Sequence, residues 1–122
     1  MSRKEILLGN GAIALGLLEA GCQIVTSYPG TPSSEILPEV VRLKKLEGLD
    51  TYVEWSTNEK VALDNAFAAA ITGKRTACCM KQVGLNVAAD SLMSADLLFA
   101  PVKALQPLFR CGQHNNHWRC AG

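Results

Sequence analysis

Short apolar runs alternate along this chain with longer stretches in which apolar residues recur every three or four positions. Residues 23–27, 51–55 and 75–80 have the length and composition of buried strands. Between them lie helical patterns. Residues 11–20 predict a first helix, capped by Asn10, with Ile13, Leu17 and Leu18 along one side and Gly21 at its end. Residues 32–46 predict a second, with Ile36, Val40 and Leu43 on its inner stripe. Pro38 falls inside that pattern, where a missing N–H should kink the helix. Residues 57–72 predict a third, rich in alanine (Ala62, Ala66, Ala68, Ala69, Ala70), and Gly73 stops it. Such small side chains let a helix lie close to a sheet or a partner. A last helix covers about 86–98. The alternation predicts an α/β fold, a parallel sheet flanked by helices.

In a parallel sheet the strand-to-helix junctions leave from one edge, where open α/β sheets bind ligands. The first junction is Tyr28-Pro29-Gly30-Thr31-Pro32-Ser33-Ser34-Glu35. Pro29-Gly30 marks a tight turn. Thr31 is placed to cap the next helix, with Pro32 at its first position, where no N–H is needed. Free amides and a hydroxyl there suit a small anionic or carbonyl-bearing ligand. The second junction carries Glu59 and the third carries Gln82. The chemistry is therefore expected at that edge.

Length and composition narrow the choice. At 122 residues the chain is one domain at most, and small for a complete cofactor enzyme. A formal charge of +1 gives no basic footprint for nucleic acid. The apolar runs are far too short to span a membrane, and the N-terminus lacks the long apolar core of a signal peptide. Cys22, Cys78 and Cys79 fall in or beside element interiors, which suits reduced thiols in the cytoplasm.

The junctions resemble the N-terminal, pyrimidine-binding domain of thiamine-diphosphate-dependent 2-oxoacid:ferredoxin oxidoreductases, in particular the indolepyruvate ferredoxin oxidoreductase large-subunit family. Four segments carry the resemblance: Leu8-Gly9-Asn10-Gly11-Ala12-Ile13-Ala14, Ser27 through Glu35, Glu54-Trp55-Ser56-Thr57-Asn58-Glu59-Lys60-Val61-Ala62, and Met80-Lys81-Gln82-Val83-Gly84-Leu85-Asn86-Val87-Ala88-Ala89-Asp90. It covers about residues 5–94 and implies a thiamine-diphosphate pyrimidine-binding fold over 1–98, incomplete at its C-terminal end. Residues 99–122 depart from the pattern. Neither a Gly-Asp-Gly metal–diphosphate motif nor an iron–sulfur cysteine run is present in the sequence. The resemblance thus implies a partial subunit, inactive alone. Its full assembly would add diphosphate-binding and ferredoxin-like domains, a beta subunit and ferredoxin. That assembly would decarboxylate arylpyruvates oxidatively to aryl-acetyl-coenzyme A, with thiamine diphosphate, magnesium and iron–sulfur clusters, and coenzyme A as co-substrate. Another thiamine-dependent 2-oxoacid enzyme, or a non-catalytic interaction module of the same fold, remains an alternative.

The resemblance also assigns residues. Thiamine chemistry asks for a carboxyl held out of water beside the aminopyrimidine, and Glu59 matches it. Ser56-x-x-Glu59 equally reads as a capping box. Thr31 matches the threonine that contacts the 2-oxoacid, or it only caps its helix. Pro29, Gly30, Gln82 and Gly84 are expected in the cofactor-binding wall, although Gly84 can be read as a turn residue. Glu54 is a weaker candidate, and Lys60 is expected to face solvent. Lys81 is read either as neutralising a carboxylate or as an exposed lysine. Cys111-x-x-His114-x-x-His117-x-x-Cys120 has zinc-ligand residue types at a compressed spacing, which favours a tail outside the family pattern over a metal site.

Overall fold

The computed structural model describes residues 6–98. In chain order these form α1 (Gly9–Glu19), β1 (Ile24–Ser27), a single 3-10 turn (Ser33–Glu35), α2 (Ile36–Glu47), β2 (Tyr52–Trp55), α3 (Glu59–Ile71), β3 (Thr76–Cys79), α4 (Gly84–Val87) and α5 (Ala89–Leu98). The three strands make one parallel sheet in the order β2-β1-β3. Ser27 lies level with Trp55 on one side and Cys79 on the other. All three strands therefore end together, and their outgoing loops share one edge.

The helices cover both faces. On one face α1 and α2 pack over Val25 and Ala77, with Leu18, Leu37, Val40 and Leu43 forming the bulk of the core. The expected inner stripe of α2 is confirmed, as Ile36, Val40 and Leu43 are all buried. That of α1 is shifted. Ile13 is 51% exposed, and Gly11, Ala14 and Leu18 point inward instead. Small residues bring α1 close to α2, and the larger Ile13 is left outside.

The other face belongs to α3, and here the alanine-rich pattern has its expected use. Ala62 and Ala66 are buried against β1 and β3. The approach is close enough for the buried Thr26 Oγ1 to donate a hydrogen bond to the Ala62 carbonyl at 2.7 Å. α5 joins this layer through Lys60, whose Nζ lies 3.2 Å from Asp64, 3.3 Å from Asp90 and 3.0 Å from Ser91 Oγ. Lys60 is thus a tie between helices as well as a half-exposed side chain, a correction to its reading as a solvated lysine. The Ser91 hydroxyl also bonds Asp64, and this bond, followed by Lys60, holds the Asp64 carboxyl below its ordinary range.

Several caps differ from those expected. α1 begins at Gly9, so Asn10 is not its cap. α2 begins at Ile36 rather than at Pro32, because Ser33–Glu35 form a 3-10 turn first. Pro38 consequently falls in the first turn of α2, where its absent N–H forfeits no helical bond, and α2 runs on to Glu47. The last helical stretch is two pieces, α4 and α5, meeting at Ala88. The tail with Cys111, His114, His117 and Cys120 lies outside the described residues.

Burial also sets the thiol chemistry. Desolvation pushes Cys78 up to about 11 and Cys79 up to about 12, and it raises Cys22 as well. Alkylation at pH 8 followed by peptide mass spectrometry should find these three thiols slow to react in the folded chain and fast in denaturant. Rapid labelling of Cys79 without denaturant would contradict the burial. Truncating Leu37, 1% exposed, by Leu37→Ala should cost roughly 2–5 kcal/mol in chemical unfolding.

Candidate functional site

Three loops meet at the strands' C-terminal edge. The first is tied down by its own serines. Ser34 Oγ accepts from the Gly30 N–H at 2.8 Å, and Ser33 Oγ donates to the Gly30 carbonyl at 3.0 Å. Asn10 braces it from outside, its amide donating to the Pro32 carbonyl at 2.7 Å and to Glu35 at 3.0 Å. These bonds explain two departures from expectation. Asn10 serves the loop instead of capping α1, and Thr31 makes no capping bond because the neighbouring serines hold the turn. Thr31 and Pro29 are exposed at the tip, and the Thr31–Pro32 peptide is cis.

The second loop delivers Glu59. Asn58 caps α3, its Oδ1 accepting from the Val61 N–H at 2.8 Å. This corrects the capping-box reading of Ser56 and Glu59. Ser56 is instead buried, with its hydroxyl unpartnered among the described residues, while its N–H donates to the Ser27 carbonyl at 2.8 Å. With capping assigned to Asn58, Glu59 is free for another role. It is the first residue of α3 and only 5% exposed. Among the described residues its carboxylate has no hydrogen bond or ion pair. Glu54, the weaker candidate, accepts the Tyr52 hydroxyl at 2.6 Å out on the β2 edge.

The third loop touches both others. The Gly84 N–H donates to the Lys81 carbonyl at 3.0 Å, closing a turn. At one end of this turn a β-carbon on Gly84 would sit 2.7 Å from Glu59 Cγ and 2.9 Å from its Oε1. At the other end a β-carbon on Gly30 would sit 2.8–3.0 Å from the Lys81 stem. Both glycines are therefore close-approach positions. Gly84, Glu59, Gly30 and Lys81 are brought together, with Thr31 next in sequence to Gly30. Gln82 lies on the same turn but is exposed. A cavity of about 300 Å³ opens elsewhere, between the starts of α1 and α2, and neither Glu59, Gly84 nor Thr31 lines it. Sequence reading missed the Asn10 brace, since a short amide beside a helix start is indistinguishable from a cap without the fold.

No family model matches the chain. A solved 2-oxoglutarate:ferredoxin oxidoreductase from Magnetococcus marinus, with 2-oxoglutarate, coenzyme A and succinyl-CoA bound, superposes with a TM-score of 0.61 at 23% identity, covering 66% of this chain and 14% of that one. The fold is that of a domain of this oxidoreductase class. Indolepyruvate oxidoreductase subunit IorA of Thermococcus kodakarensis is 53% identical over 92 residues, 75% of this chain and 14% of that protein. The same subunit from Archaeoglobus fulgidus is 45% identical over 125 residues, 94% of this chain and 20% of that protein. Ketoisovalerate oxidoreductase subunit VorB of Methanothermobacter marburgensis is 31% identical over 88 residues, 72% and 24% respectively. The chain belongs to the family of indolepyruvate oxidoreductase subunits IorA. It spans 14–20% of the length of these IorA relatives. Among the described residues no helix is long and apolar enough to cross a membrane, and no cluster of ligating side chains suits a metal ion.

The Gly84 contact gives a direct test. Gly84→Ala should displace the Glu59 carboxyl, because the new methyl meets its Cγ, while overpacking costs on the order of 1–3 kcal/mol. Chemical unfolding of the chain should register that cost, and an unchanged midpoint would contradict the contact.

Proposed function

We propose that this chain supplies the Glu59 side of a thiamine-diphosphate site in an oxidoreductase that decarboxylates an arylpyruvate, passes electrons to ferredoxin and yields an acyl-coenzyme A. The observation that carries the reading is Glu59, a buried residue at the strands' C-terminal edge whose carboxyl packs on Gly84 and is unpaired among the described residues. An acid held this way fits a heteroaromatic ring nitrogen, to which it can donate or return a proton. When bound, thiamine diphosphate supplies a nucleophilic carbon and an electron sink for decarboxylation.

Within this chain the division of labour follows from position. Glu59 holds the proton and orients the pyrimidine. Gly84 leaves the space that lets the carboxyl reach the ring. Pro29, Gly30 and Gln82 form the neighbouring wall. Thr31, exposed at the loop tip, offers its hydroxyl to the 2-oxoacid. Magnesium, the cofactor's diphosphate, the iron–sulfur clusters and coenzyme A are assigned to the diphosphate-binding domain, the ferredoxin-like domain and the beta subunit of the assembly, with ferredoxin as electron acceptor. Cysteine usage favours the cytoplasm for that assembly.

Glu59→Gln in the complete oxidoreductase tests this. The amide is isosteric, so its fit against Gly84 and the thermal unfolding of the enzyme should change little. It cannot give up a proton in the same way, so ferredoxin-linked oxidation of indolepyruvate should fall about 10²–10⁴-fold in kcat. A kcat near that of the unaltered enzyme would refute the assignment. Parallel assays with ketoisovalerate establish whether the preference is for aryl substrates.

A further inference from the structure

We propose that Lys81 is a substrate-recognition residue, its ammonium receiving the carboxylate of the 2-oxoacid beside the Thr31 hydroxyl. This rests on the functional reading above and adds to it the group that selects an acid over a neutral carbonyl compound.

Three described lysines are not fully exposed: Lys44, Lys60 and Lys81. Two of them are engaged in the fold. Lys44 donates to the Thr51 carbonyl at 2.6 Å, and Lys60 lies against Asp64, Asp90 and Ser91. Lys81 has no hydrogen bond or ion pair from its side chain among the described residues. Its stem is nevertheless confined, since its Cβ, Cγ and Cδ lie 2.8–3.0 Å from where a β-carbon on Gly30 would stand. The missing side chain of Gly30 is what lets that stem lie along the loop. The stem thus runs beside Gly30, and Thr31 is the next residue of that loop.

Glu59, packed at the other end of the same turn, forms no ion pair with Lys81 among the described residues. The edge therefore holds one unpaired cation, one unengaged hydroxyl and one buried acid. A cation and a hydroxyl together suit a carboxylate with an adjacent carbonyl, through charge-assisted hydrogen bonds. Glu59 remains available for the cofactor. When the carboxylate departs as carbon dioxide, the attraction to Lys81 disappears with it, so the contact favours the acid over the decarboxylated product.

The same ammonium could serve a phosphate of the cofactor or of coenzyme A, and the experiment separates these sources. In the complete oxidoreductase, Lys81→Met should raise KM for indolepyruvate about 10- to 100-fold. The half-saturating concentrations of thiamine diphosphate and coenzyme A, and the thermal unfolding midpoint, should stay unchanged. Lys81→Arg should recover part of the lost affinity. An unchanged oxoacid KM in Lys81→Met overturns the proposal, as does a rise confined to the cofactor or to coenzyme A. Exchange of the thiamine C2 proton with deuterium, measured without oxoacid, keeps the two readings apart. It should be normal in Lys81→Met and slow in Glu59→Gln. Normal exchange in Glu59→Gln overturns the site itself. Slow exchange there, with an unchanged oxoacid KM in Lys81→Met, overturns only the role of Lys81.

Discussion

The central strand carries a hydroxyl that must be satisfied inside the protein. Thr26 is 1% exposed in the middle of the sheet, and its hydroxyl bonds the Ala62 carbonyl of α3. Leaving that hydroxyl unpaired would cost about 1–3 kcal/mol, so the bond sets how far α3 slides along β1 and how closely it approaches. Ala62 lies one turn beyond Glu59. The requirement of a buried threonine thus fixes the height at which an acid emerges at the strands' end. The third loop then closes over that acid from β3, whose register with β1 is fixed by the ladder.

The two faces of the sheet divide the work. Large aliphatic side chains from α1 and α2 make a hydrophobic core on one side. On the other, alanines and a few polar ties allow a close, shallow contact. Stability is concentrated away from the site, as expected when burial of apolar area dominates the favourable terms. The loops at the edge are held mainly by hydrogen bonds from Asn10, Ser33 and Ser34, which fix positions without filling space. Such a scaffold keeps Glu59 largely out of water while leaving Thr31 exposed at the loop tip.

Much of this was legible in the residues. Periodicity located every strand to within a residue or two, because a period of two or a short apolar run has few alternatives between glycines. Glu59 and Gly84 were legible as candidates, but not their contact, which joins residues on different loops. The failures concern polar residues near helix ends. Asn10, Thr31 and Ser56 each looked like a cap, since caps are chosen from the same short hydroxyl and amide side chains that also brace loops. Only the fold decides which backbone group such a side chain meets. Pro38 misled for a related reason: its effect depends on where the helix begins, and the serine-held turn moved that start.

The contacts at Gly30 and Gly84 also constrain how such a site can vary over generations. Every amino acid reachable from a glycine codon by one base change carries a β-carbon. At both positions that atom would stand within 3.0 Å of a neighbouring side chain, the Lys81 stem in one case and Glu59 in the other. Neither position has a mild single-step alternative. The genetic code therefore offers this edge of the protein silence or disruption at two places, and any lineage that changes one of these glycines must first move the lysine or the acid it shelters.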